Sequence, residues 1–142
     1  MSRQRSRSRS LAIQALYQWQ MAGQDTGVIV DHFLLEQDAK KFDSDYFTEL
    51  VKGVPARLSE LDGALASCVD RPLESVDPVE RAILRVGTYE LIEHPESPYR
   101  VVINEAVELA NTFGAEKGHR YVNGVLDKAA RALRPLEAAA RR

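Results

Sequence analysis

The sequence has 142 residues, 44% of them hydrophobic and 28% charged, which is typical of a folded domain with a buried core. No apolar run approaches the roughly 20 residues of a membrane span, and Gln14 and Gln18 interrupt the stretch behind the basic start, so a secretory signal and a membrane protein are excluded. The net charge is −2, and the single cysteine, Cys68, excludes an internal disulfide framework and fits a cytoplasmic protein.

The first half of the chain has apolar residues at helical spacing. In the first segment they are Ala12, Ala15, Leu16 and Trp19, and Gly23 can end the helix. A second helix is expected over residues 27–38, and a third periodic segment runs from Asp43 to Val69. Pro55 should kink or divide that segment, because proline lacks the backbone donor and clashes with the preceding turn.

The second half has the clearest helix start, in Asp77-Pro78-Val79-Glu80, which provides an N-cap acid, a proline at the first helical position and a glutamate at the third. Pro95 should stop that helix. The next is expected from Pro98 to a cap at Gly114, and the last ends before Pro135. No alternating run between hairpin turns predicts a strand. The sequence therefore predicts an all-α fold of about six to seven helices, with residues 1–10 as a basic arm, 11–136 as one domain and 137–142 as a frayed tail.

One dipeptide conflicts with the last helix. Asn123-Gly124 usually marks a turn. If the helix continues through it, glycine costs about 1 kcal/mol relative to alanine. Close approach of another helix at Gly124 would compensate for this cost, and we expect such a contact.

The charges are distributed unevenly. Residues 1–10 carry Arg3, Arg5, Arg7 and Arg9 and no acid, and residues 117–142 carry seven basic and two acidic residues. The acidic residues concentrate between these ends. If the ends fold next to each other they would form one polyanion site, and otherwise they are two solvated tails.

Several segments resemble the NusB family of bacterial antitermination factors over nearly the whole chain. The first is the Arg-rich start leading into Ala15-Leu16-Tyr17 and Trp19, and the second is DPVERAILRVGTYEL from Asp77 to Leu91. More specific are Pro98-Tyr99-Arg100 followed by Ile103-Asn104-Glu105-Ala106, and Phe113-Gly114-Ala115-Glu116 followed by Tyr121-Val122-Asn123-Gly124-Val125-Leu126-Asp127-Lys128.

This resemblance implies two packed three-helix bundles, with Asn123-Gly124 inside the final helix. It implies binding to the single-stranded boxA element of ribosomal RNA leaders together with NusE, a ribosomal protein, in a complex that helps RNA polymerase pass terminators. It also implies that Tyr17 and Glu80 face NusE, although Glu80 has a sufficient local role as a capping-box residue.

The candidate RNA contacts follow from side-chain chemistry. Arginine grips phosphates with a planar fork and stacks on bases, and aromatic rings stack on unpaired bases. Backbone amides at the start of the last helix, with cations nearby, suit a phosphate. The candidates are Arg3, Arg5, Arg7, Arg9, Gln14, Phe113, Lys117, His119, Arg120 and Tyr121. Phe113 and Tyr121 could instead belong to the core.

No catalytic motif or metal site is expected, and neither is a cofactor. His32, His94 and His119 are far apart in sequence, and Cys68 sits in an apolar run without a cationic neighbour. Two alternatives remain: a protein–protein adaptor without an RNA site, and an RNA-modifying enzyme. The enzyme would need a separate cofactor domain, for which this sequence has no room.

Overall fold

The structure, a computed structural model, describes residues 3–140 and divides into two compact units, residues 1–57 and 58–142. All regular structure in the described residues is helical, so the all-α prediction is confirmed. The first unit holds α1 (Arg3–Ala22), α2 (Thr26–Glu36) and α3 (Ser44–Ala56). The second holds α4 (Leu58–Ala66), a 3-10 turn (Leu73–Ser75), α5 (Pro78–Glu93), α6 (Tyr99–Phe113), α7 (Gly118–Leu133) and α8 (Pro135–Ala140).

Each pair of helices in the first unit is in contact, and together they enclose an apolar core. Leu11, Leu16, Leu50 and Val51 are buried there, and the ring of Phe47 lies 5.5 Å from Phe33 and 5.9 Å from Phe42, centroid to centroid. Asp25 and Asp43 cap α2 and α3, because their carboxylates accept hydrogen bonds from backbone amides of the first turn.

Two predicted helix ends of the first unit are confirmed, whereas α2 ends at Glu36, two residues before the expected end. Gly23 closes α1 at a φ of 68°, where glycine has no steric penalty, and its amide bonds to the Trp19 carbonyl at 2.9 Å. α3 ends at Ala56 and α4 begins at Leu58, so the segment is divided next to Pro55, as expected for a residue that removes a backbone donor from a helix.

α5 is the central helix of the second unit and packs against α4, α6 and α7. Asp77 caps it, accepting from the amides of Val79 at 2.9 Å and Glu80 at 3.2 Å, with Pro78 at its first position. This confirms the helix start predicted from the sequence. Positions 82–91 are all buried, so α5 places its side chains against neighbours on every side.

Gly124 does lie inside α7, as the resemblance implies, but the expected close contact there is wrong. A Cβ at Gly124 would meet no atom within 4 Å, whereas one at Gly87 would lie 2.8 Å from Leu126 Cδ1. The glycine that lets two helices approach is therefore Gly87 of α5. The cost of Gly124 in α7 has no compensating contact.

The first and last described residues of the chain are helical, where the sequence predicted a separate arm and a frayed tail. α1 begins at Arg3, so the basic arm is the first part of that helix rather than a separate segment. At the other end, residues 137–140 lie in α8, where Glu137 accepts hydrogen bonds from the Tyr99 amide at 2.8 Å and from Arg134 at 3.0 Å. Arg141 and Arg142, the rest of the expected frayed tail, lie outside the described residues.

Candidate nucleic-acid interface

One basic surface lies in the first unit, where the start of α1 meets the loop before α3. Arg3 and Arg7, one helical turn apart, are exposed, as are Lys40 and Lys41 of the loop. Together with Gln4 they line an open cavity of about 490 Å³, and Gln4 Nε2 donates to the Lys40 carbonyl at 3.2 Å. We call these five residues the α1 basic cluster. Four cations around one concave surface can bind the phosphates of a polyanion.

A buried serine fastens the lysine-bearing loop to α1. Ser8 Oγ donates to the Asp43 carbonyl at 2.7 Å and accepts from the Asp43 amide at 2.9 Å, and Ser8 is fully buried. Because both backbone groups of Asp43 bond to one side chain of α1, the end of the loop is held beside the helix. The α1 basic cluster is therefore largely preformed.

The other two N-terminal arginines point toward α3. The guanidinium of Arg5 lies 4.4 Å from the centroid of the Tyr46 ring and pairs with Asp43 at 3.8 Å. Arg9 is only 1% exposed and donates to the Tyr46 hydroxyl at 3.4 Å. Positions two apart point to different sides of a helix, so the alternating arginines separate into an outward and an inward pair. The expectation that Arg9 contacts RNA conflicts with this burial.

Two further candidates are exposed on α1. Gln14 follows Arg7 by seven residues, two helical turns, and so lies on the same side about 10 Å along the axis. Its amide donates to the Ser10 carbonyl at 3.3 Å. Tyr17, the candidate partner contact, is 39% exposed, enough for a protein surface to cover it.

In the second unit, the start of α7 packs against a buried carboxylate. Lys117 precedes the helix in the left-handed region, at a φ of 66°. The next residue, Gly118, has no room for a side chain, because a Cβ there would overlap the Glu80 carboxylate. Burial, followed by the charge of Asp77, raises the pKa of Glu80, while a hydrogen bond from the Ala115 backbone opposes this rise. Glu80 is 7% exposed and supports the loop before α7, so it offers little surface to a partner.

Next to it, Tyr121 is held by a neighbouring ion pair. The guanidinium of Arg71 lies 4.8 Å from the centroid of the Tyr121 ring, and Arg71 Nε pairs with Asp70 at 2.7 Å. The Tyr121 hydroxyl donates to the same carboxylate at 3.4 Å. The hydrogen bond from Arg71 lowers the pKa of Asp70, and burial raises the pKa of Tyr121. Tyr121 is half-buried, so it is neither a core residue nor a fully open stacking surface.

The remaining candidates of this unit differ in exposure. Lys117 and Arg120 are exposed, whereas His119 and Phe113 are half-buried. Not all of the basic residues predicted for the C-terminal end are exposed to a polyanion. Arg134 is buried, and its guanidinium donates to backbone carbonyls at the end of α5, including that of Leu91 at 3.0 Å. It satisfies groups that a helix C-terminus leaves unbonded.

Within residues 3–140, no three histidine, cysteine or acidic side chains gather into a group that could hold a metal ion. Over the same part of the chain, no helix has the length and apolarity needed to cross a bilayer.

Comparison with known proteins identifies the family. A model of the NusB family matches residues 6–131. The chain belongs to the NusB family. It is 56% identical over 137 residues to the transcription antitermination protein NusB of Nitrosococcus oceani, covering 96% of this chain and 92% of the relative. It is also 50% identical over 131 residues to the Idiomarina loihiensis protein of the same name, covering 92% and 94%.

Solved structures share the fold of this NusB family member. T. maritima NusB superposes with a TM-score of 0.83 at 28% identity, covering 99% of both chains. A chain from the crystal structure of antitermination factors NusB and NusE in complex with dsRNA gives a TM-score of 0.79 at 26% identity. That match covers 93% of this chain and 99% of the other.

Three basic residues of the candidate surfaces in this NusB family member, Lys40, Lys41 and Arg71, were not predicted from the sequence. Lys40 and Lys41 form a basic pair within an otherwise acidic stretch, a signal that could have been noticed. Arg71 gives no such signal, since its place beside Tyr121 joins positions fifty residues apart. The α1 basic cluster belongs to the first unit and the residues around Tyr121 to the second. That the two ends bind one RNA together stays a prediction.

Proposed function

We propose that this chain is a non-enzymatic transcription antitermination factor of the cytoplasm that binds single-stranded boxA-type RNA of ribosomal RNA leaders. It acts with NusE as part of the RNA polymerase antitermination complex and needs no cofactor. The observation that carries the RNA assignment is the α1 basic cluster, a concave surface lined by four cations in a chain of negative net charge.

The α1 basic cluster supplies the phosphate contacts. Arg3 and Arg7 offer planar donor forks, and Lys40 and Lys41 add point charges on a loop that Ser8 holds in place. Arg5 is half-buried and held by Tyr46 and Asp43, and Arg9 is left out because it is buried against Tyr46. Phosphate contacts of this kind position an RNA strand without reading its sequence.

Sequence preference comes from other groups. Gln14 is exposed on the same side of α1 and can hydrogen-bond a base edge. In the second unit, Tyr121 provides a ring for an unpaired base, with Lys117, His119 and Arg120 beside it at the start of α7. Phe113 is half-buried at the end of α6 and can offer only part of its ring.

For NusE, Tyr17 is the stronger candidate contact. Its ring is partly exposed on α1, whereas Glu80 is buried beneath the loop before α7. Replacing Tyr17 with alanine should weaken NusE binding in a calorimetric titration and leave the helical circular-dichroism spectrum unchanged. Equal affinity of the two proteins would remove Tyr17 from the proposed surface.

The test of RNA binding is a fluorescence titration with a boxA-type single strand, with the duplex of the same sequence, and with and without NusE. If the four cations of the cluster each neutralise a phosphate, the log–log salt slope for the single strand should be about −3, taking about −0.7 per contact. A fourfold rise in salt would then lower the affinity about 50-fold.

A pair of charge-matched variants locates the site. Arg3→Gln with Arg7→Gln should flatten the slope by about 1.4. Lys52→Gln with Lys128→Gln removes the same charge from exposed positions outside the α1 basic cluster and should change the salt slope little. Equal effects of the two pairs would show nonspecific attraction. Absence of RNA binding in every arm, with NusE binding intact, would favour the adaptor alternative, and preference for the duplex would overturn single-strand recognition.

A further inference from the structure

The side chains of Asp70, Arg71 and Tyr121 are interlocked at the surface of the second unit. Arg71 meets Asp70 with two hydrogen bonds, Nε to Oδ1 at 2.7 Å and a terminal nitrogen to Oδ2 at 3.1 Å. Its guanidinium also lies over the Tyr121 ring, at 4.8 Å from the centroid, and the Tyr121 hydroxyl donates to Asp70 at 3.4 Å. The carboxylate thus holds both the cation and the ring.

This arrangement changes how Tyr121 can receive a base. One face of its ring is covered by the Arg71 guanidinium, so a base on that side must stack on the guanidinium or displace it. Guanidinium planes stack on bases, and the Arg71 side chain is 46% exposed. The outer surface of the stack is therefore an arginine plane that RNA can reach.

Asp70 accepts hydrogen bonds from the guanidinium nitrogens of Arg71 that would otherwise bind a phosphate. A carboxylate and a phosphate both bind the guanidinium fork through two parallel hydrogen bonds. The side chains of Arg71 and Asp70 are 46% and 67% exposed, and ion pairs at such solvent-accessible positions are weak in water. A phosphate can therefore take the place of Asp70 at small energetic cost.

We propose that Arg71 is an RNA-contacting residue, and that Asp70 is a built-in competitor that holds Arg71 over Tyr121 until an RNA phosphate takes the fork. The inference rests on the proposed RNA-binding function and adds to it a contact and a limit on affinity. Asp70 lowers affinity for any RNA, because it competes with phosphate, and it keeps the Tyr121 ring oriented between binding events.

Two substitutions test the two roles in the single-strand titration described above. Asp70→Asn keeps the shape and a hydrogen-bond acceptor for Tyr121 but removes the competing charge. It should raise RNA affinity about three- to tenfold at low salt and steepen the slope by up to about 0.7. Arg71→Gln should lower the affinity by a similar factor and flatten the slope by about 0.7.

The matched control is another ion pair of the same unit, in which Arg131 is exposed and Asp127 is partly exposed. Arg131 and Asp127 pair at 2.7 Å on α7, so Asp127→Asn and Arg131→Gln repeat the charge changes away from Tyr121. They should leave affinity within about twofold of the parent. In the Arg71→Gln background, Asp70→Asn should not raise RNA affinity, because the guanidinium for which the Asp70 carboxylate competes is absent.

Three results would overturn the proposal. The first is an Arg71→Gln variant with the RNA affinity and salt slope of the parent. The second is a gain in RNA affinity from Asp127→Asn equal to that from Asp70→Asn, and the third is a full gain from Asp70→Asn in the protein that lacks Arg71. The last two would show that Asp70 acts by general repulsion. Each leaves the proposed function standing, because the parent still binds RNA. Loss of binding by the parent itself would overturn both.

Discussion

Gly87 and Gly124 permit a direct test of which glycine lets helices approach. Both lie inside helices of the second unit, so Gly→Ala at either should gain about 1 kcal/mol from helix propensity alone. At Gly87 the new methyl would lie 2.8 Å from Leu126 Cδ1 and 3.1 Å from Leu126 Cδ2, and Leu126 is fully buried. At Gly124 it would meet nothing within 4 Å.

The propensity gain is common to both variants, so their difference isolates the contact with Leu126. Overpacking of this kind costs about 1–3 kcal/mol. Gly124→Ala should therefore be stabilised by up to about 1 kcal/mol, and Gly87→Ala should fall about 1–3 kcal/mol below it. For 142 residues, 1 kcal/mol corresponds to about 3 °C in Tm.

The assay is chemical denaturation followed by circular dichroism at 222 nm, for the parent and both variants. A third variant, Gly87→Ala with Leu126→Val, shortens the opposing side chain. It should be more stable than the two single effects added together predict, by about 0.5–2 kcal/mol. The reasoning fails if Gly87→Ala is as stable as Gly124→Ala, or if the double variant is strictly additive.

Three further predictions concern other parts of the two units. Asp43→Ala should destabilise the chain by about 0.5–2 kcal/mol in the same denaturation assay, because it removes the cap bond to the Tyr46 amide, whereas exposed Asp45→Ala should have little effect. Lys117→Asn should raise the free energy of unfolding by up to about 1 kcal/mol, because asparagine tolerates the positive φ at this position. It should also flatten the RNA salt slope by about 0.7, because one cation is removed. A variant less stable than the parent would contradict the backbone strain inferred at Lys117. Because burial raises the folded-state pKa of Glu80 above its unfolded value, its contribution to stability is present at low pH and is lost as pH rises through the folded pKa. Glu80→Gln should therefore gain stability over the parent as pH rises from about 4 to 7, and a difference independent of pH would refute this.

The helix boundaries could be predicted from the sequence because local chemistry sets them. Pro55 lacks an amide, Gly23 adopts a positive φ without penalty, and Asp77 with Pro78 caps and starts α5. Each of these effects acts within one helical turn, so a short window of sequence contains it. The same holds for the apolar periodicity that identifies an all-α chain.

The roles of individual cations could not be predicted in this way. The even spacing of the N-terminal arginines shows no difference between Arg7, which lines the α1 basic cluster, and Arg9, which is buried against Tyr46. Likewise, Arg134 was counted as basic surface and instead binds carbonyls at the end of α5. Whether an arginine faces solvent depends on which groups the fold brings to it from tens of residues away.

Close approach follows the same rule. Helix propensity marks Gly124 and Gly87 as equally unfavourable, and only the packing of α5 on α7 puts Leu126 against Gly87. The stack of Arg71 on Tyr121 also joins distant positions. The helices and the family of this protein could thus be predicted from the sequence, because both depend on local residue patterns. The tertiary structure alone decided which side chains reach the candidate RNA surface, because that depends on contacts between residues far apart in the chain.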